Sequence, residues 1–309
     1  WESRIRKCLY RPFDERFVYW TTWMVDWPRP EVMGQMVAGN NLALVTSRMT
    51  KGEVFAHAQV TRNISEVICM SSKTSNNGFV FPLWVRDKTP GLDFDAKDEV
   101  NGGDSARPNF SPAFLSAILE ATGVTFGGDG GPTVMEPQKL LDYIYAVLHS
   151  PSYRSRYSEY LKVDFPHIPV PSSDELLRSL ADLGGELVAL HLFETPPPVR
   201  VVSRFVGECD VQRVSWSQET VWIDKDQSSG FMGIKENIWR FHVGGYQVCE
   251  KWLKDRRGRN LSKDDIEHYQ RIVVAISETI RLMKEIDEVI DKHGGWPGAF
   301  VTKAMGDKK

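Results

Sequence analysis

The hydrophobic residues of the first ninety positions fall into short runs rich in Val, Ile, Phe and Thr, and Gly, Asn and Ser separate the runs. This pattern is typical of β-strands joined by turns. It predicts strands over 41–48, 55–64, 66–72 and 78–85. A helix precedes them at 30–37, because Pro30 suits the first turn of a helix. Residues 87–107 carry many Gly and Asp residues without periodicity, which predicts a long surface loop.

Apolar residues recur in steps of three and four after residue 110, which is the period of an α-helix. Ser and Pro residues mark where these helices begin, since Ser caps a helix and Pro fits its first turn. The HIPVP segment at 167–171 must be extended, because a residue before Pro avoids the helical conformation. The predicted helices cover 111–121, 137–149, 151–161 and a long stretch that begins after Ser173.

The chain returns to strand character after TPPPV at 195–199, up to about residue 234. A helix follows at 246–255, and a longer helix begins after Ser262, where Asp265 completes a capping box. The longer helix runs to about residue 292, roughly 45 Å at 1.5 Å per residue. Its apolar residues form a heptad seam, which predicts packing along another helix. The seam comprises Ile266, Tyr269, Val273, Ile276, Ile280 and Met283.

These elements predict an α+β fold. An N-terminal mixed α/β lobe with a twisted, mostly antiparallel sheet is expected over 1–170. A helical lobe with a β insertion near 199–234 and a long C-terminal helix is expected over 171–309. The length of 309 residues allows a sizeable core. No apolar run approaches the roughly 20 residues that cross a bilayer, so no membrane association is expected.

Four cysteines occur, and none forms a CxxC pair or stands with a histidine at metal-ligand spacing. Neither a metal site nor a disulfide is therefore expected, and reduced thiols are typical of the cytoplasm. Trp1 is followed by polar and basic residues, which are unlike a signal peptide. We therefore expect a cytoplasmic protein whose sequence here is either a fragment or a chain with its true start elsewhere.

Catalytic motifs are absent from the sequence. There is no GxxxxGK[ST] phosphate loop, no GxSxG elbow, no NPPY-type or DPPY-type methyltransferase motif and no nuclease pattern of Asp followed by Glu-x-Lys. The FGGDGG cluster at 126–131 lacks the lysine of a phosphate loop, and we interpret it as a flexible loop. No catalytic residue is assigned, which argues against a free-standing enzyme.

The formal net charge is −3, so bulk charge does not indicate nucleic-acid binding. Basic residues are nevertheless interleaved with aromatic ones in YRPFDERFVYW at 10–20 and in GGYQVCEKWLKDRRGRN at 244–260. In the second segment, Gln247, Lys251 and Lys254 fall on one side of the predicted helix. The segment is either a phosphate-gripping turn or a solvated charged face beside a helix end, and composition leaves both open.

Six segments resemble, in the same order, the C-terminal specificity domain of type ISP restriction-modification enzymes. They are YRPFDERFVYW, NLALVTSR, VTRNISE, YIYAVLHSPSYRSRY, LKVDFPHIPVP and HVGGYQVCEKWLKDRRGR. The resemblance extends from about Tyr10 to Trp296, and its most specific motifs are GYQVCEKWLKDR and YIYAVLHSPSYR. The HIPVP step also resembles the IPLP-type step that closes recognition domains in type I specificity subunits.

The resemblance implies a domain that reads a short asymmetric DNA sequence and presents its adenine to a methyltransferase domain upstream in the same bacterial polypeptide. The implied partners are double-stranded DNA and that methyltransferase domain. The parent would be a site-specific DNA adenine methyltransferase and ATP-dependent restriction endonuclease that acts in phage defence. It would use AdoMet, ATP and Mg, whereas no cofactor is expected in this segment.

The DNA is expected to lie in a cleft between the two lobes. Segments unlike the family, 72–77 and 200–229, are the better candidates for reading bases, because relatives read different sequences. Arg48 has a structural alternative as a buried strand-end residue paired to a carboxylate. Ser47 and Asn63 are further candidates of the first lobe. The predicted DNA-binding residues are Arg48, Lys51, Arg62, Lys73, Gln247, Lys251, Lys254, Arg256, Arg257 and Arg259.

Two other functional classes stay open. A small enzyme with an unfamiliar active site predicts a deep pocket lined by carboxylates or histidines with displaced pKa values. A protein-interaction module predicts an exposed apolar seam on the helix that begins after Ser262, and no cationic cleft.

Overall fold

The computed structural model of the chain describes residues 2–21, 23–37, 40–86, 106–127, 131, 133–194 and 203–301. The loop predicted at 87–107 lies almost wholly outside these residues. The TPPPV break lies outside them, and the glycine cluster at 126–131 lies partly outside. The α+β class is confirmed, because helices alternate with short strands and a 30-residue helix lies towards the C-terminal end.

The strands form several small sheets. In the first half of the chain they are β1 (Ile5–Arg11), β2 (Asp14–Tyr19), β3 (Ala43–Ser47), β4 (Ala58–Thr61), β5 (Ile64–Ser65), β6 (Gly78–Pro82), β7 (Trp84–Val85), β8 (Arg107–Pro108), β9 (Thr125–Phe126) and β10 (Val134–Met135). In the second half they are β11 (Arg204–Val206), β12 (Ser215–Ser217), β13 (Thr220–Trp222), β14 (Gly230–Met232), β15 (His242–Val243) and β16 (Tyr246–Gln247).

The helices supply most of the buried apolar side chains. They are α1 (Pro30–Val37), α2 (Pro112–Thr122), α3 (Pro137–His149), α4 (Pro151–Arg156), α5 (Ser158–Leu161), α6 (Asp174–His191), α7 (Glu236–Trp239), α8 (Val248–Lys254), α9 (Lys263–Lys292) and α10 (Gly295–Gly298). Among the described residues, no helix combines the length and the apolar character needed to span a membrane.

The N-terminal strands form two three-stranded sheets. β1 and β2 make an antiparallel hairpin, and β5 joins β1 in parallel. β3 lies between β4 and β6, antiparallel to both, with Leu44 opposite Val60 and Phe81. The pairing is therefore mostly antiparallel, as expected, although it is divided between two sheets.

The β insertion is a four-stranded antiparallel sheet in the order β11–β14–β13–β12. Val221 and Phe231 pair across β13 and β14, and both side chains are fully buried. The Phe231 ring lies 4.3 Å from the ring of Tyr269 in α9. The insertion is thus docked onto the long helix by its apolar face.

Three clusters of buried apolar residues form the core, and α9 belongs to the two largest. The first cluster unites β3, β4, α2, α3 and α6 with the C-terminal half of α9. The second unites the β1–β2 hairpin, the β insertion and α8 with the N-terminal half of α9. Each of these two clusters includes residues from both sides of position 170, and the division into lobes there stays a prediction. The predicted packing of α9 along another helix is confirmed by its contact with α6.

Helices α3 and α6 cross so closely that a side chain has no room at their contact. A Cβ atom on Gly184 would lie 1.9 Å from the carbonyl oxygen of Asp142. The Asp142 side chain is buried at this crossing, and its Oδ1 has no hydrogen-bond partner among the described residues. Burial raises the pKa of Asp142 to about 7.

The motif YIYAVLHSPSYRSRY holds the extended HIPVP segment in place. Tyr143 donates a hydrogen bond to the Pro169 carbonyl at 2.7 Å, and Tyr153 donates to the His167 carbonyl at 2.8 Å. Ser150 caps α4 and also donates to Asp287 of α9 at 2.5 Å. This part of the family-like motif is therefore explained by packing.

Five predicted elements differ from the structure. The strand predicted over 55–64 is divided into β4 and β5, and the strand predicted over 78–85 into β6 and β7, each pair in two different sheets. Residues 66–72 form turns, and the helix predicted over 151–161 is divided at Tyr157 into α4 and α5. The helix predicted over 246–255 begins only at Val248, because residues 246–247 form β16 and pair with β15. Gln247 consequently does not share a helix face with Lys251 and Lys254.

Asp142→Asn tests the buried carboxyl. The pKa of this carboxyl lies near 7 in the folded chain and near 3.9 in the unfolded chain. As pH rises between those values, the free energy of unfolding therefore falls, by roughly 1.4 kcal/mol per unit of pKa difference. The neutral amide should therefore raise the free energy of unfolding at pH 8 and leave it nearly unchanged at pH 4. Urea unfolding at both values measures this. Exposed Asp291→Asn is the control, and an equal response of the two variants would contradict the assignment.

Candidate nucleic-acid interface

The basic turn, residues 256–260, joins α8 to the segment before α9 and is held against the β insertion. Gly258 has a φ of 75°, the left-handed conformation that favours glycine. Its N–H donates to the Val211 carbonyl at 2.7 Å, and the Val211 N–H donates to the Arg259 carbonyl at 3.0 Å. Arg257 and Arg259 are exposed, and neither forms an ion pair within the described ranges.

Arg256 points the other way, into an ionic cluster. It donates to Asp14 Oδ1 at 3.1 Å and to Asp265 Oδ1 at 3.4 Å, and its guanidinium lies 3.4 Å from the centre of the Trp252 ring. Only 16% of its side chain is exposed. Arg256 therefore fastens the basic turn to the β1–β2 hairpin and to the start of α9.

Arg16 completes the same contact from the hairpin. It donates to Asp14 Oδ2 at 3.0 Å and approaches Asp255 Oδ2 at 3.8 Å. Its guanidinium lies over the Tyr10 ring at 3.8 Å, a favourable cation–π distance. The two basic and aromatic segments singled out in the sequence, 10–20 and 244–260, thus contact each other.

The cations of α8 are paired with carboxylates of the same helix or its end. Lys251 contacts Asp255, and Lys254 lies 2.9 Å from Glu250 Oε1. Gln247 donates its side-chain amide to the Trp239 carbonyl at 2.6 Å. These side chains are therefore less available to a ligand than those of the basic turn.

Lys51 and Lys73 belong to loops that meet at the half-buried carboxylate of Glu53. Lys73 Nζ lies 3.1 Å from the Gly52 carbonyl and 3.6 Å from Glu53 Oε1. The Lys51 N–H donates to Asn76 Oδ1 at 3.1 Å, while the Lys51 side chain is exposed and forms no ion pair in the described part of the chain. Burial lowers the pKa of His57 to about 4, so its neutral ring donates to Glu53 at 3.0 Å.

A glycine pair connects this loop with α8. The Gly244 N–H donates to the Ala56 carbonyl at 2.7 Å, and the Gly245 N–H donates to the Met70 carbonyl at 2.8 Å. A Cβ atom on Gly244 would lie 1.8 Å from the Met70 oxygen. The loop with Lys51 and Lys73 therefore lies at the N-terminal end of α8, and the basic turn lies at its C-terminal end.

Arg48 and Arg62 lie apart from each other, and each is paired with a carboxylate outside both groups. They follow β3 and β4, whose antiparallel register places them at opposite ends of the ladder. Arg48 is paired with Asp164 at 3.2 Å, and Arg62 contacts Glu194. Arg48 thus has the carboxylate partner of its structural alternative, but 57% of its side chain is exposed, so it is not buried.

A cationic groove of about 940 Å³ was not predicted. Arg154, Arg240 and Lys284 line it together with Phe241 and Met283. Its cations come from three distant parts of the chain, so no local sequence pattern could indicate it. Nowhere in the described ranges do three or more Cys, His, Asp or Glu side chains come together in a way that could hold a metal ion.

Arg256 and Arg257 are neighbours with different predicted roles. Arg256→Gln removes two charge-assisted hydrogen bonds and should lower the free energy of unfolding by about 2 kcal/mol. Arg257→Gln alters an exposed side chain and should change it by less than about 0.5 kcal/mol. Urea midpoints of both variants measure this, and equal midpoints would contradict the structural role of Arg256.

The family model and the solved structures that match this chain include type ISP proteins. The family model of the type ISP C-terminal specificity domain matches residues 1–285. No curated protein sequence matches the chain. Each of three solved structures covers 92% of the chain. Identities of 15% to 20% make them evidence of the shared fold alone.

The first of these structures is the ATP-dependent type ISP restriction-modification enzyme LlaBIII bound to DNA, with a TM-score of 0.69 and 18% identity. The second is a nuclease-deletion mutant of the type ISP enzyme LlaGI in complex with a DNA substrate mimic, with a TM-score of 0.64 and 15% identity. The third is a DrdV–DNA complex, with a TM-score of 0.69 and 20% identity. The chain spans 18%, 21% and 28% of their respective lengths. Because the family model covers most of the chain, the chain belongs to the type ISP C-terminal specificity domain family.

Proposed function

We propose that this chain recognises a specific sequence in double-stranded DNA for a restriction-modification enzyme. The family match over residues 1–285 carries the proposal. The three matching structures, all described as complexes with DNA or a DNA mimic, support it. The chain positions the target for adenine methylation and cleavage by domains elsewhere in the parent polypeptide.

The chemistry belongs, in this proposal, to the rest of the parent. The parent is a site-specific adenine methyltransferase and ATP-dependent endonuclease of the bacterial cytoplasm that uses AdoMet, ATP and Mg. We assign none of these cofactors to the chain itself. Its partners are double-stranded DNA and the methyltransferase domain of the same polypeptide.

The candidate residues take different roles according to their partners. Arg257, Arg259 and Lys51 have exposed charges without ion pairs in the described ranges, which suits phosphate contacts. Arg256 positions the basic turn through Asp14. The remaining cations could reach a phosphate by leaving a carboxylate partner, and they are Arg48, Arg62, Lys73, Lys251 and Lys254.

The interaction-module alternative required an exposed apolar seam on α9. In the structure Tyr269, Val273 and Ile276 of that seam are fully buried in the chain's own core. These three side chains therefore stabilise this fold and are not free for a partner, while the other seam residues, Ile266, Ile280 and Met283, are half-buried.

The small-enzyme alternative required a pocket of carboxylates and histidines. A cavity of about 430 Å³ is lined by Asp14, His191 and His268. Asp14 is paired with Arg16 and Arg256, and both ring nitrogens of His191 lie at hydrogen-bonding distance from Tyr145 and Thr279. Burial lowers the pKa of His191 to about 3. Its ring is therefore uncharged at neutral pH and cannot act as a cationic proton donor. The ion pairs of Asp14 and the hydrogen bonds of His191 favour a structural role for both residues.

The test uses a fluorescent random-sequence duplex and the 309-residue chain. Arg257→Gln with Arg259→Gln should weaken binding and lower the slope of log K against log salt by about 2, because each lost phosphate contact removes about 0.9. Anisotropy titrations at salt concentrations from about 50 to about 200 mM give the slope.

The control variant carries Lys139→Gln and Lys162→Gln, which remove the same charge from exposed positions on other elements. Its slope should match that of the unchanged chain. An unchanged slope in the arginine variant would remove the basic turn from the interface, and a chain that binds no duplex would refute the proposed function.

A further inference from the structure

The β insertion places a loop, residues 224–229, beside the basic turn, and residues 225–228 of this loop are exposed. The segment 210–213 runs between them. On one side Val211 exchanges two backbone hydrogen bonds with Gly258 and Arg259. On the other side the N–H groups of Gln212 and Arg213 donate to the Ile223 carbonyl at 2.8 and 3.0 Å. The loop begins directly after Ile223.

This arrangement sets the spacing between the two surface features. Backbones joined by strand-like hydrogen bonds lie about 4.8 Å apart, so two such steps separate the basic turn from Ile223 by about 10 Å. The major groove of B-DNA is about 12 Å wide between its phosphate backbones. A side chain of the loop can therefore reach a base edge in the groove while the turn holds a flanking phosphate.

The loop is closed at its base by hydrogen bonds that do not involve its tip. Asp224 is largely buried and accepts from the Ser228 N–H at 3.1 Å and the Ser228 hydroxyl at 2.6 Å. The Ile223 N–H donates to the Ser229 carbonyl at 2.9 Å. The exposed tip, Lys225 to Gln227, is thus carried on a rigid frame.

Gln227 at this tip adopts a conformation that a side chain disfavours. Its φ is 54°, in the left-handed region where glycine is the usual residue. Its side chain is exposed, and the described residues offer it no hydrogen-bond partner. Strain of this kind persists where the surrounding structure imposes it, and it concentrates at functional positions. A glutamine amide can form two hydrogen bonds with an adenine edge in the major groove.

We propose that the loop Asp224–Ser229 reads the DNA sequence, with Gln227 contacting a base edge, most readily that of adenine, while Arg257 and Arg259 hold the adjoining backbone. This inference rests on the proposed function and narrows one of the two candidate base-reading segments, 200–229, to one loop. Arg213 and Lys225, both exposed and without ion pairs in the described ranges, add positive charge to the same end of the sheet.

The same sheet provides a matched control at its other end. Gln218 is also an exposed glutamine in the left-handed conformation, with a φ of 49°. It lies in the turn between β12 and β13, where Ser217 pairs with Thr220. That turn is at the end of the sheet remote from Ile223 and the basic turn. Gln218→Gly and Gln227→Gly therefore make the same chemical change at opposite ends.

The experiment selects bound sequences from a randomised duplex library with the unchanged chain, Gln227→Gly and Gln218→Gly. Gln227→Gly should retain its affinity for random-sequence DNA and lose about tenfold in preference at one base pair of the selected site. Gln218→Gly should select the same site as the unchanged chain. Thermal unfolding should show no loss of stability in either variant, because glycine suits both conformations.

Retention of the full site preference by Gln227→Gly would overturn the proposal, as would an equal loss in Gln218→Gly. Failure of the proposed function has a different signature, since the unchanged chain would then enrich no sequence at all. A uniform loss of affinity in Gln227→Gly, with the same site preference, would assign the residue to the backbone and also overturn its reading role.

Discussion

Burial of one helix by two cores is the constraint on which the rest of the chain depends. The N-terminal half of α9 packs with the β insertion and the β1–β2 hairpin, and its C-terminal half packs with α3 and α6. Full burial of a large apolar side chain contributes about 1.5 to 3 kcal/mol, and α9 supplies several such side chains to each core. Neither core is complete without it. The strands are too short to form stable sheets alone, and they acquire their positions by docking on this helix.

Charge pairing adds orientation to this apolar frame. Asp14 lies between Arg16 and Arg256, and the three side chains join the N-terminal hairpin to a turn 242 positions later in the chain. Arg256 is thereby withdrawn from the surface, while Arg257 and Arg259 remain outside. A run of basic residues that appears uniform in sequence is therefore divided by the fold into a structural cation and two exposed ones.

Local signals in the sequence predicted the helices well and the site less well. Pro30, Pro137 and the Ser262–Asp265 capping box mark helix starts because their effects act within one turn. The start of α8 was predicted two residues too early, since docking of the glycine pair 244–245 against Met70 and Ala56 produces β16. The carboxylate partners of Arg48 and Arg62 lie more than a hundred residues away, beyond the reach of any periodicity. The cationic groove was missed for the same reason.

The segment 210–213 lies between the basic turn and Ile223 and is hydrogen-bonded to both. Under the proposed function, the grip on the backbone and the contact with the bases share one short piece of main chain. The basic turn and the loop 224–229 cannot shift relative to each other. The spacing between the phosphate contact and the base contact is therefore fixed in the protein without DNA. New specificities could arise by exchange of the loop tip at that spacing, whereas an inserted residue in 210–213 would shift the reading position along the duplex.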